Sequence, residues 1–240
     1  MDSPLDLRCR DLARAIIALG GHPLLTAVDG VDGAGKTTFA NHLARAIAAA
    51  GRPVVVVHED DFLAPRAVRY RLGRDSPEGF FRDTYDLPAL LTHILDPLRP
   101  GGSRRIRRRV FDHTTDEPID SPSEEVDADA VVLVEGLFLH RDELVERWDW
   151  SVFLDVPFAE SARRMAQRDG SHPDPEHPSM RRYVEGQRIY LARCDPRTRA
   201  TVVLDHHGAR RAPGHHGHGG VSEDRWRGVR QGSGRAPGVN

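Results

Sequence analysis

Lysine is nearly absent from this chain: of its 34 basic residues, Lys36 alone is not an arginine. A sequence that uses arginine everywhere else keeps a lysine where a compact ammonium on a flexible stem is required, so that position is informative. Cysteine is scarce as well. Cys9 and Cys194 are too few for a disulfide framework, which points to a reducing, cytoplasmic setting. No apolar run approaches the ~20 residues of a spanning helix, so a membrane role is not expected. An excess of positive charge is missing too: 34 basic against 36 acidic residues leave −2, which argues against a nucleic-acid partner. Asp2, Asp6, Arg8, Arg10 and Asp11 precede the apolar stretch 15–19, the pattern of an amphipathic helix rather than a signal peptide.

What remains is a soluble globular composition, 39% hydrophobic and 29% charged over 240 residues, enough for one large α/β domain with a real core. Periodicity predicts helices over 5–19, 36–50, 86–98, 141–147, 158–168 and 179–192. Short apolar runs predict buried strands over 24–28, 53–57, 131–134, 152–155 and 201–204, with 104–111 as a solvated edge strand and 114–125 as a loop. Five short strands interleaved with helices imply a three-layer, doubly wound α/β domain with a mainly parallel five-stranded sheet. Residues 1–22 are read as an N-terminal helix and 23–205 as the main domain. Within it, 62–85 reads as an insertion above the sheet and about 164–180 as a lid. From 206 to 240 there is no Leu, Ile or Phe but six arginines and five histidines, a composition expected to stay disordered.

Gly30-Val31-Asp32-Gly33-Ala34-Gly35-Lys36-Thr37 matches G-x-x-x-x-G-K-[ST], with a strand before it, a helix after it and a strand returning. Glycines let backbone N–H groups turn inward around phosphate oxygens, and the helix start adds its positive dipole end. The nucleotide-binding candidates are therefore Gly30, Asp32, Gly33, Ala34, Gly35, Lys36, Thr37 and Thr38, with ATP and Mg²⁺ as cofactors. Lys36 would follow the β- and γ-phosphates, and Thr37 would offer its hydroxyl to Mg²⁺. No lysine follows Lys36, so the Asn-Lys-x-Asp element of GTPases cannot be present.

Other charges cluster where such chemistry needs them. The second strand runs into Glu59, Asp60 and Asp61, and the third ends in Glu135. Strand C-termini border the crevice of a doubly wound sheet, so Asp60 is the candidate general base and metal ligand, and Glu135 a further metal ligand. Arg164 and Arg168, four apart on one helix face, are candidates for neutralising a transferring phosphoryl group. Asp61, Phe62, Arg69, Tyr70, Tyr85, Phe111, His113 and Gln187 are the candidate acceptor-side residues.

From about 24 to 204 the chain resembles the uridine kinase / phosphoribulokinase / pantothenate kinase group of P-loop kinases, most closely the uridine kinase-like members. The likeness rests on the P-loop, Asp60-Asp61-Phe62, Val131–Gly136, the lid helix with Arg168-Asp169, and Tyr183-Val184 through Cys194-Asp195-Pro196. It implies that Asp60 activates an acceptor hydroxyl and that Glu135-Gly136 and lid arginines Arg164 and Arg168 complete the site; the family's adenine-contacting loop would follow 205, where this chain runs into the His/Gly/Arg tail instead. Asp61 and Leu63 replace the Ser and Tyr of the family's Asp-Ser-Phe-Tyr element. Phe111-Asp112 stands in for its Tyr-Asp pair, and Asp116 takes the place of a base-reading histidine, with His113 nearby. The expected function is Mg-dependent phosphotransfer from ATP to a hydroxyl of a small molecule, a nucleoside or similar acceptor. An ATP-sensing or slowly hydrolysing module, and a thymidylate kinase-like enzyme sharing the Asp32–Thr38 loop, stand as alternatives. The sequence leaves a homo-oligomer open.

Overall fold

A computed structural model describes residues 3–206 of the chain. Helix α1 (Pro4–Ile17) starts on Ser3, whose hydroxyl accepts from the Asp6 N–H while Asp6 answers the Ser3 backbone, a reciprocal capping box. It is followed by β1 (Leu24–Gly30), α2 (Lys36–Ala49) and β2 (Val54–His58). Helix α3 (Pro77–Asp83) lies in the segment that leads to β3 (Val131–Gly136) and β4 (Trp150–Asp155). Helices α4 (Phe158–Asp169) and α5 (Arg181–Cys194) then precede β5 (Val202–Asp205).

The five strands form one parallel sheet in the order β2-β3-β1-β4-β5. Alternation sorts their side chains onto two faces. Leu24, Val28, Leu133, Val152 and Leu154 pack with Cys9, Leu12 and Ile16 of α1 and Phe39 and Leu43 of α2. Leu25, Ala27, Val132, Val134 and Phe153 pack with Phe62, Phe80, Leu90, Ile94, Phe138 and Tyr190 on the other side. Apolar layers on both faces explain why the strands are near-continuous apolar runs. Both cysteines are free and buried.

Several expectations need correction. Residues 104–111 do not join the sheet. They make two-residue ladders, Arg105–Ile106 with Glu124–Glu125 and Phe111–Asp112 with Glu117–Pro118, held by ion pairs between the segments such as Arg104–Glu125 at 3.1 Å. The 141–147 helix is absent apart from a single turn at Val145–Arg147. Successive bonds from Arg141 N to Phe138 O and Leu144 N to Arg141 O have the three-residue spacing of turns. The 86–98 segment begins on an Asp86 cap but is α-helical only over Leu87–Leu90, then widens over Leu91–Leu95 and tightens over Asp96–Leu98. Pro97 supplies no N–H to continue the ladder. The 62–85 segment carries α3 and a short turn of helix at Arg66–Arg69. Of the expected tail, all but His206 lies outside the described residues. His206 itself continues β5 by donating its N–H to the Asp155 carbonyl at 3.1 Å.

Candidate active site

Strand register builds the first part of the site. Parallel pairing aligns Val28 of β1 with Glu135 of β3, and Glu135 with His58 of β2, so three strands end together at one edge. The chain leaves β1 through the glycine loop, where Gly33 (φ 67°) and Gly35 (φ 87°) occupy the left-handed region. A Cβ on Gly33 would lie 2.7 Å from the Ser161 carbonyl, so α4 presses directly on the loop. Ser161 also donates its hydroxyl to the Asp32 carbonyl, and Lys36 Nζ donates to the Val31 carbonyl at 3.1 Å.

Above the loop is a cavity of ≈ 340 Å³ lined by Asp32, Gly33, Gly35, Lys36, Thr37, Thr38, Asp60, Tyr85, Glu135, Gly136, Leu137, Arg164 and Arg168. The P-loop, the acid after β2, the acid of β3 and both lid arginines thus converge. Gly30 and Ala34 are buried and shape the loop from behind. Arg164 is braced by Glu160 at 2.8 Å and donates to the His206 carbonyl at 2.8 Å, while Arg168 pairs with Asp169 at 2.7 Å.

Thr37 donates its hydroxyl to Glu135 Oε1 at 2.8 Å, and His58 Nδ1 lies 2.7 Å from the same oxygen. Burial works to raise the Glu135 pKa, but the His58 hydrogen bond, the Lys36 charge and the Thr37 hydroxyl outweigh it and hold the carboxyl below its ordinary value. Thr37, Glu135 and Asp60 are hard oxygen donors on one cavity, which suits a magnesium ion held mainly by phosphates and water. Among the described residues no three acid, histidine or cysteine side chains form a metal cage of their own.

Asp60 follows β2 on a tight turn, Glu59–Phe62, which aims the three successive acids in different directions. Asp60 faces the cavity and accepts the Tyr85 hydroxyl at 3.1 Å. Glu59 is fully buried beneath β3, accepting the Leu137 N–H at 2.8 Å. Burial, then the Asp29 and Asp60 charges, push its pKa well above the ordinary carboxyl value. Asp61 points to Arg109, 3.3 Å away.

A second cavity of ≈ 180 Å³ shares Asp32, Asp60, Tyr85 and Leu137 with the first and continues along Leu63, Arg69, Tyr70, Phe80, Thr84, Arg182 and Tyr183. Arg69, Tyr70 and Tyr85, expected on the acceptor side, all line this second cavity. Four other acceptor-side expectations do not hold. Asp61 is engaged by Arg109, Phe62 is a core residue with no exposure, and Phe111 is buried beside Pro118. His113 is solvent-exposed, and Asp116 rather than His113 grips Arg69, at 3.3 Å. Gln187 is redirected too. It is buried, its Oε1 accepts the Asp32 N–H at 2.6 Å and its Nε2 donates to the Tyr183 carbonyl, so it fastens α5 to the P-loop.

Sequence reasoning missed the buried support beneath the loop. Asp29, inside β1, receives the Gly30 N–H at 2.7 Å and the Tyr190 hydroxyl, with His140 Nδ1 at 2.7 Å. A carboxylate in an otherwise apolar strand was the available signal, since burying it requires partners. Arg182 was also missed, because nothing local separates it from the other arginines.

The chain matches the model of the Phosphoribulokinase / Uridine kinase family over residues 25–172, more than half of its length. A pantothenate kinase of Rhodopseudomonas palustris is 30% identical over 171 residues, 64% of this chain and 53% of that protein. A uridine kinase of Leuconostoc citreum is 26% identical over 63% of this chain and 70% of its own length. Among solved structures, a possible uridine kinase from Bacillus stearothermophilus superposes with a TM-score of 0.66 at 29% identity, covering 83% of this chain and 99% of that one. The chain spans about half the length of the pantothenate kinases it matches. No helix among the described residues is long and apolar enough to cross a membrane. With the match running through β1–β4, the glycine loop and α4, the chain belongs to the phosphoribulokinase / uridine kinase family.

Proposed function

We propose that this protein transfers the γ-phosphoryl group of ATP to a hydroxyl of a small molecule. The observation that carries the reading is Asp60, which sits where the P-loop cavity meets the second cavity and is shared by both. A carboxylate there is placed to take a proton from a hydroxyl in the second cavity while that oxygen faces a phosphate over the loop. In the step, the acceptor oxygen forms a bond to the γ-phosphorus, the bridging oxygen leaves with ADP, and the acceptor proton passes to Asp60.

The chain's own cations supply the electrostatics. Lys36 and Arg164 are fixed against the loop by bonds to the Val31, Gly33 and Ala34 carbonyls, so little reorganisation is needed when charge builds on the transferring group. Arg168, more exposed and paired among the described residues with its neighbour Asp169, is the arginine best able to move with a lid. Thr37 and Glu135 would hold a magnesium ion, which when bound neutralises phosphate charge. Tyr85, buried and with a pKa raised by that burial and by Asp60, stays protonated and keeps Asp60 oriented.

The test is incubation of the full chain with γ-labelled ATP and magnesium against a panel of uridine, pantothenate and sugar phosphates. Label on an organic acceptor is expected. Label only in inorganic phosphate across the panel would replace transfer by simple hydrolysis.

A further inference from the structure

The second cavity has an uneven charge distribution. Its acids, Asp32 and Asp60, lie on the walls shared with the P-loop cavity, whereas the opposite wall is lined by Arg69 and Arg182 around Tyr70. The Tyr70 ring has guanidinium carbons of Arg69, Arg74 and Arg182 at 5.6, 5.1 and 5.0 Å from its centre. Three guanidiniums around one phenol ring repel one another unless an anion joins them.

The arginines' partners do not supply enough. Arg182 is buried and spends Nη1 on the Gly73, Arg74 and Ser76 carbonyls and Nη2 on the Arg69 carbonyl. Those bonds fix the guanidinium in place, while its charge meets only ring faces of Tyr70 and Phe80 and the more distant Asp75, since no carboxylate lies within ion-pair distance of it among the described residues. Arg69 meets one carboxylate oxygen, Asp116 Oδ1 at 3.3 Å, while its Nε is buried with no hydrogen-bond partner. A buried donor on a charged group without an acceptor is costly, and a guanidinium fork pairs best with a carboxylate or phosphate.

We infer that the acceptor carries an anionic group, a carboxylate or a phosphate, recognised by Arg69 on the wall that it shares with Tyr70 and Arg182, while its hydroxyl faces Asp60. This rests on the second cavity being the acceptor site of the proposed transfer. It narrows that reading from small hydroxyl compounds in general to charged ones, and away from a neutral nucleoside.

The experiment measures calorimetric binding of pantothenate, ribulose 5-phosphate and uridine to the full chain with a non-hydrolysable ATP analogue, alongside transfer of label to each. At least one anionic probe should bind at least tenfold more tightly than uridine, with an affinity that falls as salt rises; which one does so separates carboxylate from phosphate. Arg69→Gln should weaken that probe about ten- to a hundredfold, raising KM more than it lowers kcat, and Arg69→Lys should restore part of the loss. Uridine binding as tightly as either anion, or an Arg69→Gln variant with unchanged affinity for the anion, overturns the inference. Should Arg69→Gln fail to fold, the ranking of the three probes on the unmodified chain decides alone. Label passing to uridine at the highest kcat/KM keeps the proposed transfer and removes the anionic acceptor. Arg69-dependent binding of an anion with label released only as inorganic phosphate does the reverse.

Discussion

The two ends of the cavity are built in different ways. At the phosphate end, Asp32, Gly33, Gly35, Lys36, Thr37 and Thr38 come from one loop, and their spacing is dictated by the strand-to-helix turn itself. At the acceptor end, Asp60, Arg69, Tyr70, Tyr85, Leu137, Arg182 and Tyr183 come from segments far apart in the chain, brought together by the packing of α3 and α5 over the sheet. In the proposed transfer, the first arrangement would recognise what every substrate pair shares, a polyphosphate, and the second what differs. A site assembled from distant segments changes its specificity by single substitutions without disturbing the loop that holds the donor.

Substitutions at the junction should show the two ends coming apart. Asp60→Asn keeps the shape and the Tyr85 contact but removes the proton acceptor, so kcat should fall by about 10²–10⁴-fold while ATP affinity, measured by calorimetry, changes little. Loss of ATP affinity on the same scale would make Asp60 part of the phosphate end instead. Lys36→Ala is the complementary case. It should lower kcat/KM by about 10²–10³-fold and weaken ATP binding, with acceptor affinity much less affected. Near-normal ATP binding would mean that the loop's backbone, not its ammonium, holds the nucleotide.

Gly33→Ala tests the loop as a mechanical part. Its φ of 67° disfavours a side chain, and the new Cβ would meet the Ser161 carbonyl at 2.7 Å. Left-handed strain of this kind costs about 1–3 kcal/mol, read as a lower denaturation midpoint, and α4 must shift away from the loop. Unchanged stability would show that the loop and α4 are not pressed together.

This difference also explains what could be read from the sequence. The sheet, α2 and the glycine loop follow from local rules: valine runs, glycine at positive φ and a lysine that stands alone. The Asp86 cap was legible for the same reason. The acceptor end was not, because its side chains are sorted by tertiary packing. Phe62 and Asp61 follow Asp60 directly, yet one is core and the other reaches Arg109, because the chain turns tightly there instead of continuing as a strand. Gln187 and Arg182 sit on the same helix; one grips the loop and the other lines the cavity. The short ladders at 105–125 depend on charge pairs between segments, which periodicity does not register.

The smallest expected effect concerns how the phosphate end keeps Arg164 in place. Glu160, in the first turn of α4, accepts from Arg163 and Arg164, and its pKa is lowered from 4.5 to about 2, chiefly by the Arg163 hydrogen bond, against the cost of burial and with help from Arg164. A carboxyl whose pKa is depressed on folding adds stability that is complete above 4.5 and disappears as pH falls through about 2. The carboxylate is partly exposed and Arg163 more so, so Glu160→Gln should cost about 1 kcal/mol at neutral pH. The gap between variant and parent should shrink as pH falls between those two values. Activity should respond more than stability, because Arg164 loses the brace that holds it over the loop. A drop in kcat beyond what the stability loss predicts, with acceptor KM unchanged, would place Arg164 at the phosphate end. A rise in acceptor KM at unchanged kcat would move it to the other.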